Sequence, residues 1–475
     1  MKKKIIKATF IYTTSRYIEK GIGFIKGIIV AKYLGPGSLG VWGVIGLIRM
    51  YIKYLNLGII YSMNKEISIN RDNLNDNLKI QNNSFTFILI VSLLILILSI
   101  IIKIFNINIS LFNEYKFIAN NILLIGIIGA LDQIRLYFQN YFRAYENFLD
   151  LAISNILFSL TNLIVIVVLI NEYKLYSLLF GLILSYIITN LYLFIRKNEN
   201  FDLVLDLEVI IPLLKTGFSL MLYTLGVFAF NSIDRIMITN FLSKSDMGYY
   251  TLAFQIISAV IMSVQTFNYI VYPKILNKIG NMKKNKDMIL LTDKYSKYVT
   301  TLAAILIFIA YILINPFIKT LLVDYIKSIF IIRVILIGQF FVLSSSIVNN
   351  MLIAKNKQNS LVKLLIFMIL ISIILNFIML KMGLGLNGIA IATAISYFLY
   401  GLFQLFIGFK FLNIKNKKIF MKVINYYYKF LLLLIVMIIY SFFDNIAILT
   451  FSIISLIIIY YKDLRNVTKE FGESR

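Results

Sequence analysis

Cysteine and histidine are both missing from the 475 residues, and each absence removes a class of chemistry. Without cysteine there is no disulfide framework, no thiolate metal site and no thiol nucleophile. Without histidine there is no imidazole general base, which excludes a membrane acyltransferase that relies on one. The chain also lacks the GxxxxGK[ST] pattern of a nucleotide-binding loop, so ATP is not expected to act on it directly. Acidic residues are scarce, 22 Asp and Glu against 47 Lys and Arg. No polar remainder is left over that could form a water-soluble domain beside a membrane anchor. No catalytic residue, metal ligand or cofactor is assigned.

What is present is apolar surface. Hydrophobic residues make up 60% of the chain, more than a globular exterior facing water tolerates. Runs near 20 residues recur along the whole length, the span of a transmembrane helix. Spans are read at about 8–33, 38–63, 83–106, 117–140, 148–170, 174–196, 213–241, 246–272, 298–320, 329–353, 360–381, 386–409, 425–443 and 445–461. The expected fold is therefore an all-α integral membrane protein with about fourteen transmembrane helices.

The formal net charge of +25 would fit nucleic acid if it lay on one surface, but it follows the topology instead. Roughly 31 of the 47 basic residues fall in segments assigned to one side, about 6 on the other and about 10 within spans. That asymmetry is the positive-inside rule, so nucleic acid is not an expected partner. Met1-Lys2-Lys3-Lys4 places the N-terminus in the cytoplasm, and no small-residue cleavage site follows, so the first span is read as retained. Polar loops at Lys65–Asn83, Arg196–Lys215, Lys274–Lys297 and Lys410–Lys422 fall on the same side, as does a tail over 462–475. The longest links on the opposite side are short, around Asn106–Lys116 and Asn315–Lys327. They offer too little chain for the external catalytic domain of a glycosyltransferase or polymerase.

A weak internal repeat is visible. YLGPGSLGVWGVIGLI, from Tyr33 to Ile48, resembles FLSKSDMGYYTLAFQI, from Phe241 to Ile256. A shift of 208 pairs Ile28 with Ile236, Leu34 with Leu242 and Gly40 with Gly248; a shift of 210 pairs Asn140 with Asn350 and Ala144 with Ala354. Chance similarity between apolar helices is the alternative. If the repeat is real, two six-helix bundles enter the membrane in the same direction around a central cavity. The bundles are residues 1–200 and 208–410, followed by two additional helices over 425–461.

Ionisable groups inside a bilayer are costly and usually face a cavity. Arg16, Glu19, Lys20 and Lys26 share one face of the first span. Arg49 and Lys53 in the second span, Asp132 and Arg135 in the fourth, and Asn231, Asp234 and Arg235 in the seventh continue the pattern. The functional reading is a water-filled, net-cationic lumen that suits an anionic group such as a diphosphate. Glu19, Asp132 and Asp234 would offset part of the charge or bind a coupling cation. The alternatives stay open residue by residue: Asp234–Arg235 also fits a structural pair, Arg49 and Lys53 a position nearer the cytoplasmic mouth, and Lys32, Lys103, Arg196 and Arg333 snorkelling to an interface. Pro36-Gly37 reads as a tight turn, with Gly40 and Gly43 allowing close helix packing.

LGPGSLGVWG in the first hairpin, DRIMITNFLSKSDMGYYTLAFQI from Asp234 to Ile256, NNMLIAKNKQNSLVK from Asn349 and GLGLNGIAIATAISY from Gly383 together resemble bacterial polysaccharide biosynthesis membrane proteins, the Wzx-type flippases of lipid-linked oligosaccharides. The likeness runs over roughly residues 1–460. It implies a MATE-like fold of two six-helix bundles plus two C-terminal helices, working by alternating access. The implied substrate is an undecaprenyl-diphosphate-linked oligosaccharide moved across the bacterial cytoplasmic (inner) membrane for O-antigen, capsule or exopolysaccharide. The expected protein is multi-pass, in contact with membrane lipids, with both termini cytoplasmic from the charge bias and the even number of spans; a polysaccharide polymerase and a chain-length regulator are candidate partners, and a coupling ion, H+ or Na+, is left unidentified by the sequence. Rivals within the superfamily are a lipid II flippase and a cation-coupled multidrug exporter; the net-basic lumen argues against cationic drugs.

Overall fold

Side chains that are apolar on every face leave a chain in lipid one economical solution, the helix, because it satisfies each backbone donor and acceptor internally. The computed structural model describes residues 2–70, 73–105, 114–197, 201–282, 285–443, 450–461 and 463, and among them there is no β-strand. The helices run in order: α1 (Lys2–Ile52), α2 (Ile59–Ile69), α3 (Leu74–Ile104), the short α4 (Lys116–Asn120), α5 (Ile122–Ala144), α6 (Phe148–Tyr173) and α7 (Leu175–Ile195). They continue as α8 (Leu207–Phe230), α9 (Ile233–Phe241), α10 (Lys244–Asn281), α11 (Asn285–Leu321), α12 (Ser328–Ala354), α13 (Gln358–Lys381), α14 (Gly385–Phe411), α15 (Asn416–Phe443) and α16 (Thr450–Tyr461).

Twelve of the described helices are long and apolar enough to cross a membrane. The first of them, Phe10–Asn56, is two limbs in one: Gly35 adopts φ 68°, ψ 171° and breaks α1 just before Pro36. A positive φ is cheap only for glycine, and proline suits the first turn of the limb that follows, where its missing N–H has no helical partner to lose. The first limb matches the first predicted span, whereas the second predicted span, 38–63, is divided: the second limb ends at Ile52, and the 3-10 turn Lys53–Asn56 and a left-handed Gly58 (φ 83°) lead into α2. The predicted fourteenth span, 445–461, falls partly on 445–449, outside the described residues, as do 106–113 of one predicted loop and most of the predicted 462–475 tail.

Two further departures have a physical cause. The predicted span 213–241 is divided between α8 and α9 by a turn at Asn231–Ser232, where Ser232 bonds back to the Ala229 carbonyl through both its N–H and its hydroxyl. The predicted polar loops before α3 and between α10 and α11 are largely helical, since a helix end that leaves the apolar layer keeps its own hydrogen bonds. Asn73 caps α3 by accepting from the Asp76 N–H, and Ser243 and Asp246 cap α10 reciprocally.

The chain divides into two compact units, Met1–Phe228 with Thr239–Leu252, and Ala229–Ile238 with Ala253–Arg475. In the first, α1 packs on α6, α6 on α7 and α3 on α5. Its aromatic core gathers Phe85, Tyr137, Phe138 and Tyr141 around Phe201, which anchors the segment leading to α8. Asp206 and Val204 reinforce that anchor by donating their N–H groups to Asn83 and Thr86. In the second unit α12 packs on α11 and α14, and Phe340 stacks on Phe430 of α15 with ring centroids 3.6 Å apart. Lys422 and Tyr426 of α15 both bond to Asp293 of α11.

Candidate functional site: a buried cationic cluster

Helix α5 has two working faces. Tyr137, Phe138 and Tyr141 point into the aromatic core of the first unit, which fixes the helix. Asp132, Arg135 and Gln139, at i, i+3 and i+7, form the other face. The second limb of α1 runs into a short 3-10 turn, Lys53–Asn56, that presents Lys53 beside Arg49. Gln133 holds this turn: it donates to the Ile52 carbonyl at 2.6 Å and accepts from Asn56 at 3.3 Å.

The result is one buried carboxylate shared by two cations. Asp132 Oδ2 lies 3.4 Å from Lys53 Nζ and 3.9 Å from Arg49 Nη2. Arg49 also donates to the Tyr186 hydroxyl at 2.7 Å. Arg135 is buried, with its guanidinium carbon 3.6 Å from the centre of the Phe158 ring and Nη2 3.4 Å from Asn155 Oδ1. Gln139 donates to that same oxygen, and Lys26 donates to Asn162 at 2.7 Å. Asp132 thus pairs with Arg49 and Lys53, with Arg135 and Lys26 held nearby by Asn155 and Asn162, and two donors are unused: the Nε atoms of Arg49 and Arg135 are buried without a hydrogen-bond partner.

Five of the expected lumen residues, Lys26, Arg49, Lys53, Asp132 and Arg135, therefore share one cluster within the first unit. Glu19 is half-buried and electrostatically coupled to Lys26 and Arg135. Arg16 and Lys20 are exposed on α1 and make no hydrogen bond or ion pair with any described residue. Asn231, Asp234 and Arg235 belong to the second unit and are tied to one another. Arg235 donates to the Asn231 carbonyl and, through its backbone N–H, to Asp234; its guanidinium sits over Phe254. Tyr397 donates to the Asn231 side chain at 3.0 Å.

A search confined to charges overlooks Asn155, Phe158, Asn162 and Tyr186. The signal for part of this set was available: Asn155, Ser159 and Asn162 recur at i, i+4 and i+7 in an apolar helix and form a buried polar stripe on α6. No group of three or more acidic residues able to hold a metal ion occurs among the described residues.

The broken first helix and the helical architecture of the described residues give a fold similar to those of solved membrane proteins. An inward-closed structure of the lipid II flippase MurJ superposes with a TM-score of 0.74 at 17% identity, covering 97% of this chain and 99% of that one. An inward-facing multidrug resistance MATE family transporter of the MOP superfamily gives 0.70 at 17% identity, covering 83% and 94%. At such identity the likeness concerns the fold. The sequence itself goes further: residues 5–277 match the polysaccharide biosynthesis protein family, and the chain belongs to that family. No curated protein matches it.

Proposed function

We propose that the protein is a flippase that carries undecaprenyl-diphosphate-linked oligosaccharide across the bacterial cytoplasmic membrane for surface polysaccharide assembly, by alternating access. One observation carries the reading: Arg49 and Lys53 share the buried Asp132 carboxylate, Arg135 lies one turn further along the same helix as Asp132, and the Nε donors of both arginines are unused. A diphosphate is a good match for such a cluster, because its oxygens accept paired, charge-assisted hydrogen bonds from guanidinium groups. Family membership supports a role in polysaccharide synthesis, and the MATE- and MurJ-like fold supports movement of a substrate in preference to chemistry on it.

In this reading Arg49, Lys53 and Arg135 hold the diphosphate, with Lys26 and Glu19 setting the local field. Arg16 and Lys20 attract it, and Asn231, Asp234 and Arg235 act in the second unit. The prenyl chain stays in lipid. Both termini are cytoplasmic, H+ or Na+ couples the return step, and a polymerase with its chain-length regulator takes the product. A lipid II flippase uses the same diphosphate chemistry and is the second reading, favoured by the likeness to MurJ.

The test is the sidedness of lipid-linked glycan in a deletion strain, read with a membrane-impermeant glycan probe. The expected outcome is intermediate trapped on the cytoplasmic leaflet and released on complementation. Normal sidedness with normal surface polymer would overturn the proposal.

A further inference from the structure

Among the described residues of the first unit, two aspartates are buried at helix interfaces, and they are used differently. Asp150 Oδ1 accepts from Arg196 Nε at 2.9 Å and from the Tyr192 hydroxyl at 2.7 Å, distances of full charge-assisted hydrogen bonds. Asp132 is just as buried, with a side chain 6% exposed, yet its two cations stand off at 3.4 and 3.9 Å. Its Oδ2 atom accepts a hydrogen bond from neither cation, and the side-chain hydrogen bond the carboxylate does accept is from Tyr186, a neutral hydroxyl. Arg49 gives its short bond to Tyr186 and not to the carboxylate.

A carboxylate placed to brace helices would close those distances, as Asp150 does. A carboxylate placed to be exchanged would not, because a tight pair costs too much to separate once buried. From this contrast we infer that Asp132 is a resident counterion, occupying the Arg49–Lys53 site when no substrate is bound and competing with the substrate's diphosphate for it. The inference rests on the flippase reading and adds to it a residue that sets affinity. Without Asp132, Arg49 and Lys53 would face each other with no carboxylate between them. With it, their charge is offset until a diphosphate, offering more charge and more acceptor oxygens, displaces it. The unused Nε donors of Arg49 and Arg135 are then available to the incoming group. Release follows the reverse exchange, in which Asp132 returns to the cations as the diphosphate leaves.

The consequence runs opposite to that of a substrate-binding residue. Removing a ligand-binding group weakens binding; removing a competitor tightens it. Purified protein in lipid nanodiscs, titrated with geranylgeranyl diphosphate, reads the difference. Asp132→Asn is expected to bind this probe at least about tenfold more tightly than the wild type, while glycan export by the same variant in cells slows because release is impaired. Asp132→Glu, which retains the competing charge, is expected to stay close to wild-type affinity.

Should Asp132→Asn alone fail to fold, the double variant K53Q/D132N removes one charge of each sign. Its affinity is expected to lie between those of Lys53→Gln and the wild type. Wild-type binding with unchanged or weaker binding by Asp132→Asn, or a double variant no tighter than Lys53→Gln, overturns the counterion role and leaves the flippase reading standing. A wild type that binds no diphosphate, in a strain whose lipid-linked glycan has normal sidedness, overturns the flippase reading and the counterion with it.

Discussion

Gly40 and Gly248 meet through a reciprocal contact. A Cβ on Gly40 would stand 1.8 Å from the Lys244 carbonyl oxygen, and one on Gly248 would stand 1.8 Å from the Pro36 carbonyl oxygen. The two glycines are 208 residues apart, and so are Pro36 and Lys244, so the contact joins positions that the 208-residue shift pairs. The backbones of the second limb of α1 and the first turn of α10 touch directly, and only hydrogen fits between them. Gly43 extends the seam against Thr251.

Substituting either glycine by alanine should therefore force the helices apart, at a cost of about 1–3 kcal/mol typical of overpacking. Gly40→Ala and Gly248→Ala are each expected to lower the melting temperature in detergent and to reduce export. Gly46→Ala is the control, since a Cβ there meets nothing within 4 Å. Equal melting temperatures for Gly40→Ala and Gly46→Ala would contradict the contact.

Arg16 and Lys20 should separate function from stability. Both are exposed and bonded to no described residue, so truncation removes charge without breaking a hydrogen bond or ion pair to any of the described residues. Arg16→Ala and Lys20→Ala are expected to reach the membrane at wild-type levels and to melt within the small range of surface substitutions, about 0.5 kcal/mol. Export of glycan should nevertheless fall. Normal export by both variants would leave the cationic site confined to the buried cluster.

Phe201 offers the opposite case, stability without direct involvement in binding. It touches four aromatic rings, with centroids between 4.8 and 6.1 Å, although it lies between helices. Phe201→Ala should cost roughly 1–3 kcal/mol in line with the loss of partly buried aromatic area and ring pairing. The measurement is thermal or denaturant unfolding in micelles, with Phe201→Leu expected to recover most of the loss.

How much could be read in advance depended on which physical signal each feature left. Apolar runs mark the membrane helices because lipid imposes length and composition together. The division of the seventh span escaped because Asn231 and Ser232 are compatible with a helix; the turn there is held by Tyr397 and Arg235, partners distant from it in sequence or unremarkable beside it. Charges stand out against apolar sequence, so Arg49, Lys53, Asp132 and Arg135 were legible as a set. Tyr186 and Phe158 were not, because an aromatic residue in an apolar helix looks like packing until a guanidinium is found beside it. Distances decide the rest: no spacing in the sequence distinguishes Asp132, whose cations stand off at 3.4 and 3.9 Å, from Asp150, which Arg196 approaches to 2.9 Å.

Arg135 tests whether shape matters in the cluster as well as charge. Its guanidinium lies flat enough on Phe158 to approach the ring centre at 3.6 Å, and one of its nitrogens reaches Asn155. A lysine keeps the positive charge but presents a compact ammonium that neither stacks as a plane nor offers a fork of donors. If the site needs only positive potential, Arg135→Lys should export glycan normally. If it works through an oriented guanidinium, export should drop about tenfold, in proportion to the loss of one stacked, charge-assisted contact worth roughly 1–2 kcal/mol. We expect the second outcome, and with it a similar but smaller drop for Phe158→Leu, which keeps the arginine and removes the surface that orients it. A Phe158→Leu protein more impaired than Arg135→Lys would place the aromatic ring, and not the cation it carries, in the leading role.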